Sequence, residues 1–173
     1  MFYYKFIFCD NYNIISIYKS SLINNFMIKK TIFSKICIAS DHAGYNLKEK
    51  IKDFLINRDI DVIDLGPSSK VSVDYPDYAK KVAKRVLLKK SESGILVCGS
   101  GTGMAITANK FKGIRAAQCY NKKSTILSRL HNNANIICLG SRMLKKKEAF
   151  SYVDCFIKTK FESGRHQKRV NKI

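Results

Sequence analysis

From Lys35 onward, short β-branched and aliphatic runs alternate with longer stretches of helical period. The short runs predict strands over Lys35–Ser40, Asp61–Gly66, Gly94–Gly99, Arg115–Tyr120 and Asn135–Gly140. Between the first two, Leu47, Ile51, Phe54 and Leu55 recur at helical spacing. They put one apolar stripe on a sheet and leave Lys48, Glu49, Lys50 and Lys52 largely outside. Ala79, Val82, Ala83 and Val86 repeat the pattern in a second helix. A third helix is predicted to open after Gly103, a fourth to hold Ile126, Leu127 and Leu130, and a last to hold Phe150, Val153 and Ile157.

Strands separated by helices must pair in parallel, and right-handed crossovers place helices on both faces of the sheet. The predicted class is therefore α/β: a doubly wound, Rossmann-like three-layer sandwich with a five-stranded parallel sheet. At 173 residues, one domain is expected rather than two. Ligands of such sheets bind beyond the carboxyl ends of the strands. The residues there are Ser40, Asp41 and His42 after the first strand, Cys98 and Gly99 after the third, and Gly140, Ser141 and Arg142 after the fifth; His131 and Asn132 lie just before the fifth. Exchangeable protons and positive charge suit a phosphorylated substrate.

Composition narrows the partners. A net charge of +19, from 32 Lys and Arg against 13 Asp and Glu, attracts phosphates, nucleic acids and anionic membranes alike. The lysines are dispersed in runs such as Lys80–Lys81, Lys122–Lys123 and Lys145–Lys147, each on a helix face turned to water. Neither Cys and His at finger spacing nor an aromatic RNP-like stretch occurs, so no nucleic-acid partner is expected. The six cysteines form no CxxC pair, and Cys37, Cys119, Cys138 and Cys155 sit inside apolar runs; like Cys9, they read as free thiols of a reducing compartment.

Residues 1–33 read as an N-terminal extension and residues 34–173 as the functional domain. Met1–Phe8 is aromatic and apolar, but Asp10 and several Asn interrupt it with no small-residue cleavage site, which argues against a secretory signal. The stretch is too short and polar for a membrane span. A transit peptide stays open because acids are scarce, although Arg is absent before Arg58. The preferred reading is an appendage, disordered or produced by a start upstream of Met27. A cytoplasmic protein with no membrane partner follows.

The segment Cys98-Gly-Ser-Gly-Thr-Gly103 joins a strand to a helix, where glycines allow close backbone approach and amides face an anion. It is neither a Walker A sequence nor GxGxxG, and a merely tight turn is the alternative. Cys98 stands at the mouth of this loop, where a helix N-terminus favours thiolate; a buried structural thiol is the other reading. His131 reads as a catalytic group or a helix C-cap. Asp41 and His42 meet one ligand only if they leave the strand, since neighbours in a strand point to opposite faces. Arg165, His166, Lys168 and Arg169 form either a solvated tail or a phosphate clamp.

Together these pieces resemble the ribose-5-phosphate isomerase B family, which includes galactose-6-phosphate isomerase subunits. The shared motifs are Ser40-Asp-His-Ala-Gly44, Asp74-Tyr-Pro76, Cys98–Gly103, Ala108-Asn-Lys110, Gly113-Ile-Arg115, His131-Asn132, Gly140-Ser-Arg142 and Gly164–Arg169, in order from Lys35 to the end. The resemblance implies interconversion of D-ribose 5-phosphate and D-ribulose 5-phosphate, with Cys98 as proton acceptor, Ser100 assisting it, and the backbone of Gly99, Ser100, Gly101, Thr102 and Gly103 as the anion hole. It implies that His131 opens the sugar ring with Asp41 nearby, that His42, Asn132, Arg142, Arg165 and Arg169 contact substrate and phosphate, and that Tyr75 lines the pocket. Neither cofactor nor metal is implied, and the sequence lacks a dense ligand cluster such as HExxH. A homodimer or homotetramer with the site at a subunit interface is expected. The alternatives are a six-carbon sugar-phosphate isomerase on the same scaffold, a non-catalytic phosphosugar-binding module and, from charge alone, a nucleic-acid-binding protein.

Overall fold

The computed structural model describes residues 31–173. Five strands, β1 (Lys35–Ser40), β2 (Asp61–Asp64), β3 (Ser93–Cys98), β4 (Ala116–Gln118) and β5 (Ile136–Gly140), form one sheet in the order β2-β1-β3-β5-β4, every pair parallel. The helices are α1 (Tyr45–Ile56), α2 (Tyr75–Leu87), α3 (Thr102–Ala108), α4 (Lys122–Leu130), α5 (Lys146–Lys158) and, after a 3-10 turn at Gly164–His166, the short α6 (Gln167–Val170). This is the doubly wound α/β sandwich that the alternation of patterns predicts.

The period of two along each strand separates two cores. Ile36, Ile38, Ile95, Val97, Ile137 and Leu139 point to one face, where Leu47, Ile51 and Leu55 of α1 and Val153, Phe156 and Ile157 of α5 cover them. Cys37, Ala39, Leu96, Cys98, Ile136 and Cys138 point to the other, under Val82, Ala83 and Val86 of α2 and Met104 and Ala108 of α3. Strands buried on both faces read as continuous apolar runs for this reason. Ile32 donates its amide to the Ile157 carbonyl and the Phe33 ring lies 6.1 Å from that of Phe156, so the packed chain begins ahead of Lys35. Cys9 and the rest of the proposed extension up to residue 30 lie outside the described residues.

Two local expectations are corrected. Lys48 is fully buried rather than outside: its ammonium reaches Asp64 at 2.7 Å, Glu49 at 2.7 Å and the Pro67 carbonyl at 2.9 Å. Helical period alone could not place it, because the carboxylate that receives it arrives from β2. Helix α4 holds Ile126, Leu127 and Leu130 as expected, all half-buried, and its fully inward positions are Thr125 and Arg129. Arg129 turns inward because it satisfies the carbonyls of Thr159 and Ala134 and the side chain of Asn133, with Phe33 and Phe156 beneath its guanidinium. Finally, β4 is a three-residue edge strand, shorter than predicted; the Arg115 amide leaves the ladder for the Asn135 side chain at 2.8 Å.

Candidate active site

At the carboxyl ends of β1 and β3, Asp41, His42, Ala43, Tyr75, Cys98, Gly99, Ser100, Gly103, Arg142 and Met143 line a cleft of about 500 Å³. Strand β1 stops at Ser40, so Asp41 and His42 lie in the turn that leads into α1, and both side chains reach one cavity. Asp41 Oδ1 accepts the Gly44 amide at 2.8 Å. Gly44 has no room for a side chain, since a Cβ there would meet the Val97 carbonyl oxygen at 2.5 Å. His42 Nδ1 lies 3.3 Å from both the amide and the carbonyl of Val73, which hold the ring at the edge of the cleft.

The loop after β3 is shaped around Cys98. Gly101 sits at φ 84°, in the left-handed region that favours glycine, and its amide donates to Cys98 Sγ at 3.0 Å. Burial pushes the Cys37 thiol up to about 11 and lifts those of Cys119, Cys138 and Cys155, so these remain protonated. The Ser141 amide donates to the Cys98 carbonyl at 2.8 Å and the Arg142 amide to the Gly99 carbonyl at 3.0 Å, which ties the ends of β3 and β5 together. The Arg142 guanidinium lies 3.5 Å from the position of a Gly99 Cβ. Gly103 accepts the Tyr75 ring at a distance no side chain would permit, 2.6 Å from an added Cβ. Helix α3 starts at Thr102, two residues earlier than the sequence suggests, and Thr102 lines a neighbouring depression with Gln118.

The remaining predicted residues lie elsewhere. His131 caps the carboxyl end of α4 and leads, through Asn132 and a left-handed Asn133, to the amino end of β5. Register pairs Ile136 with Gly94 and Gly140 with Cys98, so the start of β5 is four residues, roughly 13 Å, from the level of the sulfur. Arg165 and Arg169 follow at this far end, where the Glu162 amide donates to the Leu130 carbonyl and the rings of His131 and His166 stack with centroids 4.2 Å apart. None of His131, Asn132, Arg165 and Arg169 lines the cleft of its own chain. His166, which pattern reasoning left in a basic tail, is buried against His131. Burial, followed by the charge of His131, holds its imidazole below the ordinary value, with Glu162 opposing.

One trio among the described residues brings metal-ligating atoms together: His131, Glu162 and His166, all within 4.8 Å. The rings are parallel within 7°, so an ion in the plane of one imidazole lies out of the plane of the other, and Arg165 Nε already donates to His166 Nε2 at 3.4 Å. The trio therefore does not form a converging metal site.

Residues 36–173 match the model of the family described as Ribose/Galactose Isomerase. The chain is 44% identical over 139 residues to the ribose-5-phosphate isomerase B of Escherichia coli, an alignment covering 80% of this chain and 93% of that protein. Among solved structures, the ribose 5-phosphate isomerase of Thermotoga maritima superposes with a TM-score of 0.79 at 50% identity, covering 80% of this chain and 96% of that one. The ribose-5-phosphate isomerase B of Mycoplasma genitalium, solved with bound ribulose-5-phosphate, gives 0.77 at 44% identity, covering 80% and 92%.

Proposed function

Because the chain belongs to the ribose/galactose isomerase family, we propose that it interconverts D-ribose 5-phosphate and D-ribulose 5-phosphate in the cytoplasm, as a step of pentose phosphate metabolism. The observation that carries the reading furthest is the cysteine that lines the cleft, whose sulfur accepts the Gly101 amide at 3.0 Å. Cys98 thiolate takes the C2 proton of the open aldose. The electron pair moves to form a cis-enediolate with its oxyanion at O1; the proton returns at C1 while the O2 hydroxyl proton passes to O1, leaving the C2 carbonyl of the ketose. Amides of the Gly99–Gly103 segment and the Ser100 hydroxyl face the developing oxyanion; the Gly101 amide is engaged with sulfur and serves the base instead. Asp41, His42 and Tyr75 orient the sugar, and Arg142 supplies positive charge inside the cleft.

This reading requires two copies of the chain. Ring opening by His131 and phosphate binding by Asn132, Arg165 and Arg169 belong to the same reaction as proton transfer at Cys98, yet these groups lie toward the opposite end of the sheet. A partner in a homodimer or homotetramer would bring its far end to this cleft. Half-buried Ile126, Leu127 and Leu130 and exposed Tyr120 and Met143 offer apolar surface for that contact. The domain so assembled takes in residues 34–173 together with Ile32 and Phe33, which pack on Ile157 and Phe156. Offering the purified protein ribose, allose and galactose phosphates in turn and following ketose formation tests the assignment. Ketose from ribose 5-phosphate is expected, and turnover of a hexose phosphate alone would replace it with the six-carbon reading.

A further inference from the structure

Gln118, at the carboxyl end of the edge strand β4, has no place in the motifs that mark the site. Its side-chain amide donates to the Ser100 carbonyl at 3.0 Å and to Thr102 Oγ1 at 2.9 Å. The carbonyl can only accept, so the nitrogen rather than the oxygen of the carboxamide must face the loop. Strand β4 is not adjacent to β3; β5 lies between them. Gln118 therefore reaches across the carboxyl end of β5 to grip a loop that belongs to β3.

The contact is possible because the loop is folded down over the end of β5. A Cβ on Gly140 would meet the Ser100 carbonyl oxygen at 2.6 Å, and one on Gly101 would meet the Leu139 carbonyl carbon at 3.0 Å. The Cys98–Thr102 turn is thus pressed onto Leu139 and Gly140 from above and clasped from the far side. The residue between the two clasped groups is Gly101, whose amide points at Cys98 Sγ.

We infer that Gln118 is a positioning residue that clasps Ser100 and Thr102 and so keeps the Gly101 amide aimed at the Cys98 sulfur. It touches neither substrate nor sulfur; its effect passes through the loop. Two bonds from one rigid carboxamide fix both sides of Gly101, the one residue of the turn held at positive φ and so the one with most conformational freedom to lose. This inference rests on Cys98 as the base.

The test substitutes Gln118→Leu, of similar size but unable to donate, and Gln118→Glu, which cannot donate to the carbonyl and brings negative charge toward the anion-binding turn. Turnover should fall on the order of tenfold in Gln118→Leu and further in Gln118→Glu, with KM changed less than kcat. The rate at which iodoacetamide alkylates Cys98 at fixed pH should fall in the same order, with the far-UV spectrum and melting temperature near those of the parent. Thr102→Val, which leaves the Ser100 bond intact, should have the smallest effect. Equal turnover and alkylation rates in the parent and folded Gln118→Leu would overturn the proposal, as would a loss that merely followed melting temperature. If Gln118→Leu does not fold, Gln118→Met supplies the same reading. Alkylation remains informative even if Cys98 proves not to be the base, since inactive and mispositioned sulfur are then distinguished by Cys98→Ser turnover.

Discussion

The amide of Gly101 donates to the Cys98 sulfur across 3.0 Å, and the backbone conformation that makes this possible has φ 84°. Gly101→Ala imposes the left-handed penalty of about 1–2 kcal/mol on a side chain that also meets Leu139 at 3.0 Å. The turn should relax by rotating the amide away from sulfur. The expected result is a folded protein of lower melting temperature whose kcat falls more than its KM rises; unchanged turnover would remove this amide from the account.

A division of the site between two copies predicts complementation. Cys98→Ser and His131→Ala should each be nearly inactive alone. Random pairing of equal amounts makes half the dimers mixed, each with one intact and one doubly defective site, so co-refolding should restore about a quarter of the parent activity. Absence of any rescue in a mixture shown to contain mixed dimers would place His131 and Cys98 in one chain's site.

What could be read from the sequence depended on whether one segment held the information. The two faces of the sheet follow from Ile36, Cys37, Ile38 and Ala39 in simple alternation, and the cleft follows from residues that each end a strand. Lys48 could not be placed this way because Asp64, which draws it inward, belongs to another element. The inward turn of Arg129 was not legible for a similar reason: the carbonyls of Ala134 and Thr159, which decide it, belong to other segments. Motif order gathered His131, Arg165 and Arg169 into one list with Cys98, but order along a chain does not say which end of a strand, or which copy, a residue serves. Gln118 carries no motif at all, and only the sheet order brings it to Ser100.

The buried ion cluster of Lys48 should govern acid stability. Burial pushes the Asp64 carboxyl up, but bonds from Lys48, the Gly66 amide and Lys52 outweigh it and hold the group below its ordinary 3.8; Glu49, likewise paired with Lys48 and Lys52, lies below 4.5. Carboxyls with depressed values in the fold stabilise it above their unfolded values, and that contribution is lost as pH falls below about 4. Lys48→Met should cost on the order of 3–5 kcal/mol at neutral pH by leaving Asp64 without its main partner. In urea titrations the gap between parent and variant should narrow between pH 6 and pH 3. A gap independent of pH would mean that packing of the Lys48 stem, rather than its charge, holds α1 to β2.

Proton exchange at C2 of ribose 5-phosphate, followed by NMR in deuterated solvent with Cys98→Ser, tests the central claim most directly. The hydroxyl retains the shape of the thiol and is a far weaker acid, so the variant should fold normally while exchange and ketose formation fall together by on the order of 10²–10⁴-fold. Cys119→Ala and Cys138→Ala should retain exchange while losing stability, as expected of buried positions. Exchange in folded Cys98→Ser at nearly the parent rate would contradict the account and assign the proton transfer to another group in the cleft.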